Sequence, residues 1–385
     1  MVEVLVLVGL LVVAFGGGAL GAALGAYPAF ALSGFVVVVG EAARLAGGAT
    51  IQTPWEASAV TLGTTGVTAS VGLGPALGPH VAFGGGAAAA AYAARKGYLD
   101  TGFPYYEAKN VTYSLGARVD VLAVGGAFGV VGLLLAALSA GTLGAAGDLP
   151  WPGLPWDPLM GSVVLSAFLH RLAFGYPLVG NVRGDVLDMT PFERGERRRP
   201  VAGPAGTGSG GVEGGSESGA VGSEADAPGR YVVEPWLPHQ SGWTSTTLLG
   251  AAAGVFGAFV AYATGSALLA FGLAAASTVF LSLGMERAPV THHMVLPASV
   301  LVVGLAGGAT GPSAVADALS LPVAAVAGAV AGALAGVLGE LAGRVLYAHA
   351  DTHLDPPAAS IVVTTLLIGL LDVLGLLSQG VIPAP

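Results

Sequence analysis

Apolar runs of about 17 to 25 residues recur along most of this chain, and each is long enough to cross the hydrocarbon core of a bilayer. Five such runs lie near residues 4–25, 28–45, 55–72, 80–96 and 120–140, and a sixth near 159–179. Five more follow near 246–264, 267–284, 294–309, 322–345 and 359–378. No soluble fold could hide this much apolar surface. Only 10% of residues are charged, against about a quarter in soluble proteins. The expected fold class is therefore all-α: a polytopic transmembrane helix bundle of about 11 spans, with the lipid bilayer as its first partner.

The 63 glycines fit that environment. Small residues let helices approach closely where lipid supplies no hydrophobic force between them. The absence of cysteine removes disulfides and thiolate metal sites. The acidic N-terminal start, Met1-Val2-Glu3, lacks the basic region of a signal peptide, so the first run reads as a retained span.

The runs repeat in order. At one constant offset Gly18 pairs with Gly254, Gly21 with Gly257, Ala22 with Ala258, Ala31 with Ala267 and Phe35 with Phe271. At a second offset Asp100-Thr101 pairs with Asp351-Thr352. This predicts two five-helix repeats in parallel orientation: a first repeat over 1–145, a linker helix within 146–180, and a second repeat over 246–385. Parallel repeats place the pseudo-twofold along the membrane normal, a logic shared by the SWEET sugar carriers at the level of architecture alone. The connector, 181–245, contains a Pro200–Gly229 stretch of Gly, Ser, Ala, Pro and acid, a composition that predicts disorder.

With the N-terminus inside, every basic residue outside the spans falls on one side, from Arg44 and Arg95 through the Arg194–Arg199 cluster to Arg287 and Arg344. That agreement with the positive-inside rule predicts a multi-pass protein of the cell membrane with N-terminus and connector cytoplasmic. It fails if the weak third run of each repeat is only re-entrant. Arg171, inside the sixth run, costs ~3 kcal/mol if left at that depth. The expectation is that it snorkels from an early helix end or pairs with an acid such as Asp372.

The polar residues that could carry chemistry are few. Asp372 lies mid-span without a basic neighbour in sequence, so it either faces a polar path or makes a packing hydrogen bond. Glu340 and Arg344 stand at i,i+4, the favourable order for an ion pair. Asp100, Asp351, Glu56 and His80 complete the candidates for a transport path or ion site. His349 and His353 share one face if the preceding helix continues. With Asp351, Asp355, His292 and His293 they form the candidate set for a divalent metal ion, imidazole plus carboxylate suiting a transition metal. The plain alternative is a set of polar loop residues at a wet interface. No other cofactor is expected.

The matched turns Gly72–Pro79 and Gly307–Ser313 are either outside loops or the breaks in helices that mark a transporter's site. Gly84-Gly85-Gly86 has no following lysine and is no phosphate loop. No hydrolase triad, nucleotide motif or nucleic-acid module is present, so neither enzyme activity nor nucleic-acid binding is expected. Taken whole, the Ala/Gly/Val-rich, lysine-poor, acidic pattern resembles uncharacterised multispanning membrane proteins of halophilic archaea, a resemblance that implies no activity.

The leading expectation is a transporter or channel for an ion or small solute, its path between the two repeats. The alternatives are a non-transporting scaffold or assembly subunit and, behind it, an intramembrane metalloprotein. Whether the small-residue faces also build a homo-oligomer is open.

Overall fold

The computed structural model describes residues 2–47, 66–141, 153–182, 184–197, 230–308, 311 and 313–377. Ten substantial helices order the chain: α1 (Val2–Leu24), α2 (Ala26–Leu45), α3 (Ala82–Arg95), α4 (Val119–Ser139), α5 (Pro158–Ala173), α6 (Trp243–Thr264), α7 (Leu269–Ala276), α8 (His292–Leu305), α9 (Leu321–Ala342) and α10 (Pro356–Val373). Six are long and apolar enough to cross a membrane: α1, α2, α4, α6, α9 with its extension to Ala348, and α10. Their outward faces are bare hydrocarbon. Val12 is 66% exposed and Val326 65%, a surface suited to lipid and to no aqueous environment. The protein is an all-α, multi-pass membrane bundle.

Close approach through glycine sets the packing. A methyl group on Gly18 of α1 would lie 2.2 Å from the Gly125 carbonyl oxygen of α4, and one on Gly254 of α6 would lie 2.0 Å from that of Gly328 in α9. Neither position can carry a side chain without parting the helices. The same scheme continues: Gly21 abuts Ala82 of α3, and Gly257 abuts Val295 of α8. Thus α1, α3 and α4 pack on one another, α6, α8 and α9 do likewise, and α5 and α10 each lie against the fourth helix of their own set.

Two of the helix–helix contacts between the sets run antiparallel. Gly34 of α2 meets Ala275 and Ala276, while Gly272 of α7 meets Val37 and Val38. Across α5 and α10, Asp157 N donates to Thr365 Oγ1 at 2.9 Å, while His170 meets Thr352, before α10, at 3.1 Å. Residue numbers rise along one helix as they fall along the other.

The helix expected as a lone linker, α5, packs on α3 and α4 as α10 packs on α8 and α9. The expected third run lies largely outside the described residues. Its described end is the π-helical turn Thr68–Gly72, held to α2 by Ser33 Oγ donating to Gly72 O at 2.5 Å. Eleven full spans are not found among the described residues. The helices α3 and α8, at 14 residues each, reach only about 21 Å at 1.5 Å per residue, short of the ~30 Å core. The Gly/Ser/acid stretch 200–229 lies outside the described residues.

The two ends of the bundle differ in charge. One end holds Arg95, Lys109, Arg118, Arg230 and Arg344, tied by contacts such as Arg95 Nε to Phe174 O at 3.1 Å and Lys109 Nζ to Tyr347 O at 2.9 Å. Arg95 and Arg344 do share a surface. Arg44, expected beside them, closes α2 at the other end. There it pairs with Glu41 at 2.8 Å, whose carboxylate accepts from Ser266 Oγ between α6 and α7. The first residues of α1 lie at that end too, opposite the connector.

Candidate functional site

Four helices begin inside the bundle instead of at its surface. A helix start leaves backbone N–H groups without intrahelical partners, so each buried start needs an internal solution. In α5 and α10 the solution is Asp-Pro. Proline at the first helical position gives up no hydrogen bond, and the preceding aspartate caps the turn. Asp157 accepts from Leu159 N at 3.0 Å and Met160 N at 2.9 Å. Asp355 accepts from Ala358 N at 3.0 Å through one oxygen only. Ahead of α3, Gly78 O takes the N–H groups of Val81 and Ala82, and α8 opens on His292-His293.

These starts enclose a chamber of about 10 Å³ bordered by Tyr27, Pro79, Phe83, Met160, His292 and Asp355. That is room for a single water. Its polar wall is Asp355, whose Oδ1 accepts from Tyr27 OH at 3.4 Å and from His353 Nε2 at 3.3 Å. A carboxylate only accepts, so this bond places the His353 proton on Nε2. Rings complete the enclosure, with Phe30 and His292 centroids 4.7 Å apart and Phe83 and His353 5.7 Å apart.

Above the chamber, toward the basic end, lies a vestibule of about 240 Å³. Tyr27 borders both cavities. Tyr105, Lys109, Trp236, Tyr347 and His353 supply the rest of its polar wall, and exposed Pro104 and Pro238 form its rim. Tyr27 and His353 thus stand between a roomy, surface-connected cavity and a small one.

A buried ionic cluster holds the vestibule wall. Lys109 Nζ lies 2.7 Å from Glu234 and 4.3 Å from the Tyr347 ring centroid. Glu234 also meets Arg230 at 2.6 Å, and Arg230 meets Asp351 at 2.5 Å. Burial pushes Lys109 down to about 8 against the pull of Glu234, which leaves it charged at neutral pH. Although burial pushes the Glu234 carboxyl upward, the two cations more than offset it and hold the group below its ordinary value. Burial raises the Tyr105 hydroxyl.

The structure separates most of the residues expected to act together. Asp372, in the last turn of α10, lies at the end away from the basic surface, and its Oδ1 is buried without a partner. Glu340 and Arg344 pair at 2.6 Å as expected, and Glu340 also accepts from Gly242 N at 3.0 Å, bracing the start of α6. Asp100 is exposed, and its neighbour Thr101 bonds Glu107 at 2.6 Å. Thr352 is buried under Arg171, so the two Asp-Thr pairs are not equivalent. His80 is buried ahead of α3. Glu56 lies outside the described residues.

The metal set does not form. After Ala342 the chain passes through a π-helical turn, Gly343–Ala348, and leaves the helix. His349 therefore faces Val186 O at 3.1 Å while His353 faces Asp355. His292 lines the chamber and His293 a separate small cavity beside Glu340. Among the described residues no three His, Asp or Glu side chains converge as a ligand set.

Arg171 neither snorkels nor meets Asp372. Its Nε donates to Thr352 Oγ1 at 3.0 Å, and its remaining nitrogens reach the carbonyls of Leu178, Leu346 and Thr352. It anchors the end of α5 to the segment entering α10. Tyr27, Asp157 and the Lys109–Glu234 pair were not expected as site residues. One sequence signal could have found the two helix starts, since Asp157-Pro158 with Ser162 recurs as Asp355-Pro356 with Ser360.

A chain of ten helices with interrupted members meeting at depth can be compared with known families. The match is with a family model described as a family of unknown function, DUF7973, over residues 1–385. The chain belongs to that family. No curated protein and no solved structure matches. For this DUF7973 member, then, any functional reading rests on its own residues.

Proposed function

We propose that the protein is an integral membrane transporter or channel for an ion or small solute, its path running from the vestibule past Tyr27 and His353 to the chamber. The observation that carries this reading is the meeting of four buried helix starts at a cavity beneath a surface-connected one. Interrupted helices at mid-depth free polar groups for a substrate where continuous helices would offer only hydrocarbon. A packing subunit has no need of them.

We further read the two five-helix sets as inverted repeats. The matched glycine contacts support a common plan, and the antiparallel crossings of α2 with α7 and of α5 with α10 support inversion. The path then lies at the interface of the sets. The excess of arginine and lysine at the vestibule end supports a cytoplasmic vestibule, since basic loops stay inside. On that orientation the start of α1 faces out.

Flux in proteoliposomes tests the reading. Purified protein should move at least one common cation, anion or small organic solute, and Tyr27→Trp, which fills the passage between the cavities, should slow it at least tenfold. Absence of flux for all of them, with a fixed partner protein co-purifying, would instead favour a scaffold.

A further inference from the structure

The chamber contains a buried carboxylate with no fixed countercharge. Asp355 is 6% exposed, and its partners are a phenol, an imidazole and one backbone N–H. The two cationic side chains that act on His353 are committed elsewhere. Lys109 is bound by Glu234 and Tyr347 O, and Arg171 is spent on Thr352 and backbone carbonyls. A lone negative charge at this depth is costly and draws in a mobile positive one.

Three observations say what that charge is. The chamber admits about one water, which excludes an organic cation or a hydrated metal ion. No three-residue metal ligand set is present among the described residues. Lastly, unpartnered basic nitrogens surround the carboxylate. With its Nε2–H given to Asp355, His353 carries a lone pair on Nδ1 that is buried and has no donor. The Nδ1 of His292, whose ring lines the same chamber and which is 2% exposed, is likewise unpartnered.

We infer that the chamber is a proton-binding site, in which His353 and Asp355, with His292 across the cavity, take up one exchangeable proton from vestibule water. The inference rests on the transport reading only for its use as coupling. In the step itself a hydronium in the vestibule gives its proton to His353 Nδ1, an N–H bond forms, and water is left behind. The imidazolium then faces the Asp355 carboxylate through its Nε2–H, and the site is neutral overall. Other titratable or charged groups facing it are Tyr27 from α2, Tyr347 after α9, His293 from α8, Lys109 from the loop before α4, and His170 with Arg171 from α5. Burial first and the cations after it oppose protonation of His353, so the proton is held loosely enough to exchange.

Infrared difference spectroscopy of the full chain in lipid vesicles, titrated with acid at constant sodium, reads the site directly. The expected result is an imidazole and carboxylate signal that titrates with acid below the ordinary imidazole value of about 6.5. Asp355→Asn and His353→Gln should each lose it, and Asp372→Asn should keep it. Asparagine still caps a helix, so Asp355→Asn leaves the start of α10 intact. Should it nonetheless fail to fold, Tyr27→Phe serves. Losing the phenol donor destabilises the carboxylate and moves the midpoint to higher pH. Identical spectra for wild type and Asp355→Asn, an unmoved midpoint in Tyr27→Phe, or a signal that follows sodium instead of acid would overturn the site. Vesicles loaded with a pH-sensitive dye separate this from transport. A titrating signal without dye response leaves the proton site standing and removes the transport reading.

Discussion

Asp157 and Asp355 each precede a proline, begin the fifth helix of their set and are buried, yet their carboxylates meet different surroundings. One oxygen of Asp157 takes two backbone N–H groups. Asp355 gives one oxygen to the helix and turns the other toward Tyr27 and His353. The same local device thus serves as a plain cap in the first set and as the polar wall of a chamber in the second. The difference comes from what stands opposite: Thr365 faces the backbone of Asp157, whereas an imidazole and a phenol face Asp355. A shared local capping device does not fix the chemistry built on it.

The largest test of the common plan is steric. Gly18→Val and Gly254→Val each drive a side chain into a facing backbone, which should cost about 3 kcal/mol or more. Both variants should lose monodispersity in detergent to a similar degree, and a tolerated Gly18→Val beside a ruined Gly254→Val would break the comparison. Next comes an asymmetry. Arg171 ends α5, while the corresponding turn of α10 carries Gly369, packed on Pro155. Arg171→Met should lower stability by about 2 to 4 kcal/mol by stranding buried acceptors, visible as a lower melting temperature.

The caps sharpen the contrast. Asp157→Ala and Asp355→Ala should each cost about 1 kcal/mol, and asparagine should restore both melting temperatures. Only Asp355→Asn should then remain defective in flux. Equal flux defects in the two asparagine variants would show that the sites are not distinct. A smaller effect concerns pH. Because the folded state holds Glu234 below its ordinary value, its contribution is complete above the unfolded pKa of about 4.5 and is lost as pH falls through the lower folded one. Glu234→Gln should flatten the acid limb of the stability profile.

Much of the membrane character was legible from sequence because lipid imposes it residue by residue: long apolar runs, small residues and scarce charge. The constant offset linking Gly18, Gly21 and Ala22 to Gly254, Gly257 and Ala258 named residues that make matching contacts. Glu340 and Arg344 paired as their spacing predicts. The alignment of the halves is least constrained where composition is weakest. Counting the run near 55–72 as a span sets α3 against α9, whereas leaving it out sets α3 against α8. The Asp-Pro and Ser recurrence at 157–162 and 355–360 supports the second register, because helix starts constrain residue type more tightly than Ala/Gly helix interiors do.

By itself, the sequence determined that this chain is a helical membrane protein, since hydrophobic length and charge scarcity act locally and need no knowledge of neighbours. Only the tertiary structure decided that its two sets cross antiparallel, that α3, α5, α8 and α10 begin in the interior, and that Asp355 rather than Asp372 faces a cavity. Those outcomes depend on which helix lies beside which. In a chain this rich in alanine and glycine, many pairings fit almost equally well until close backbone contact selects one.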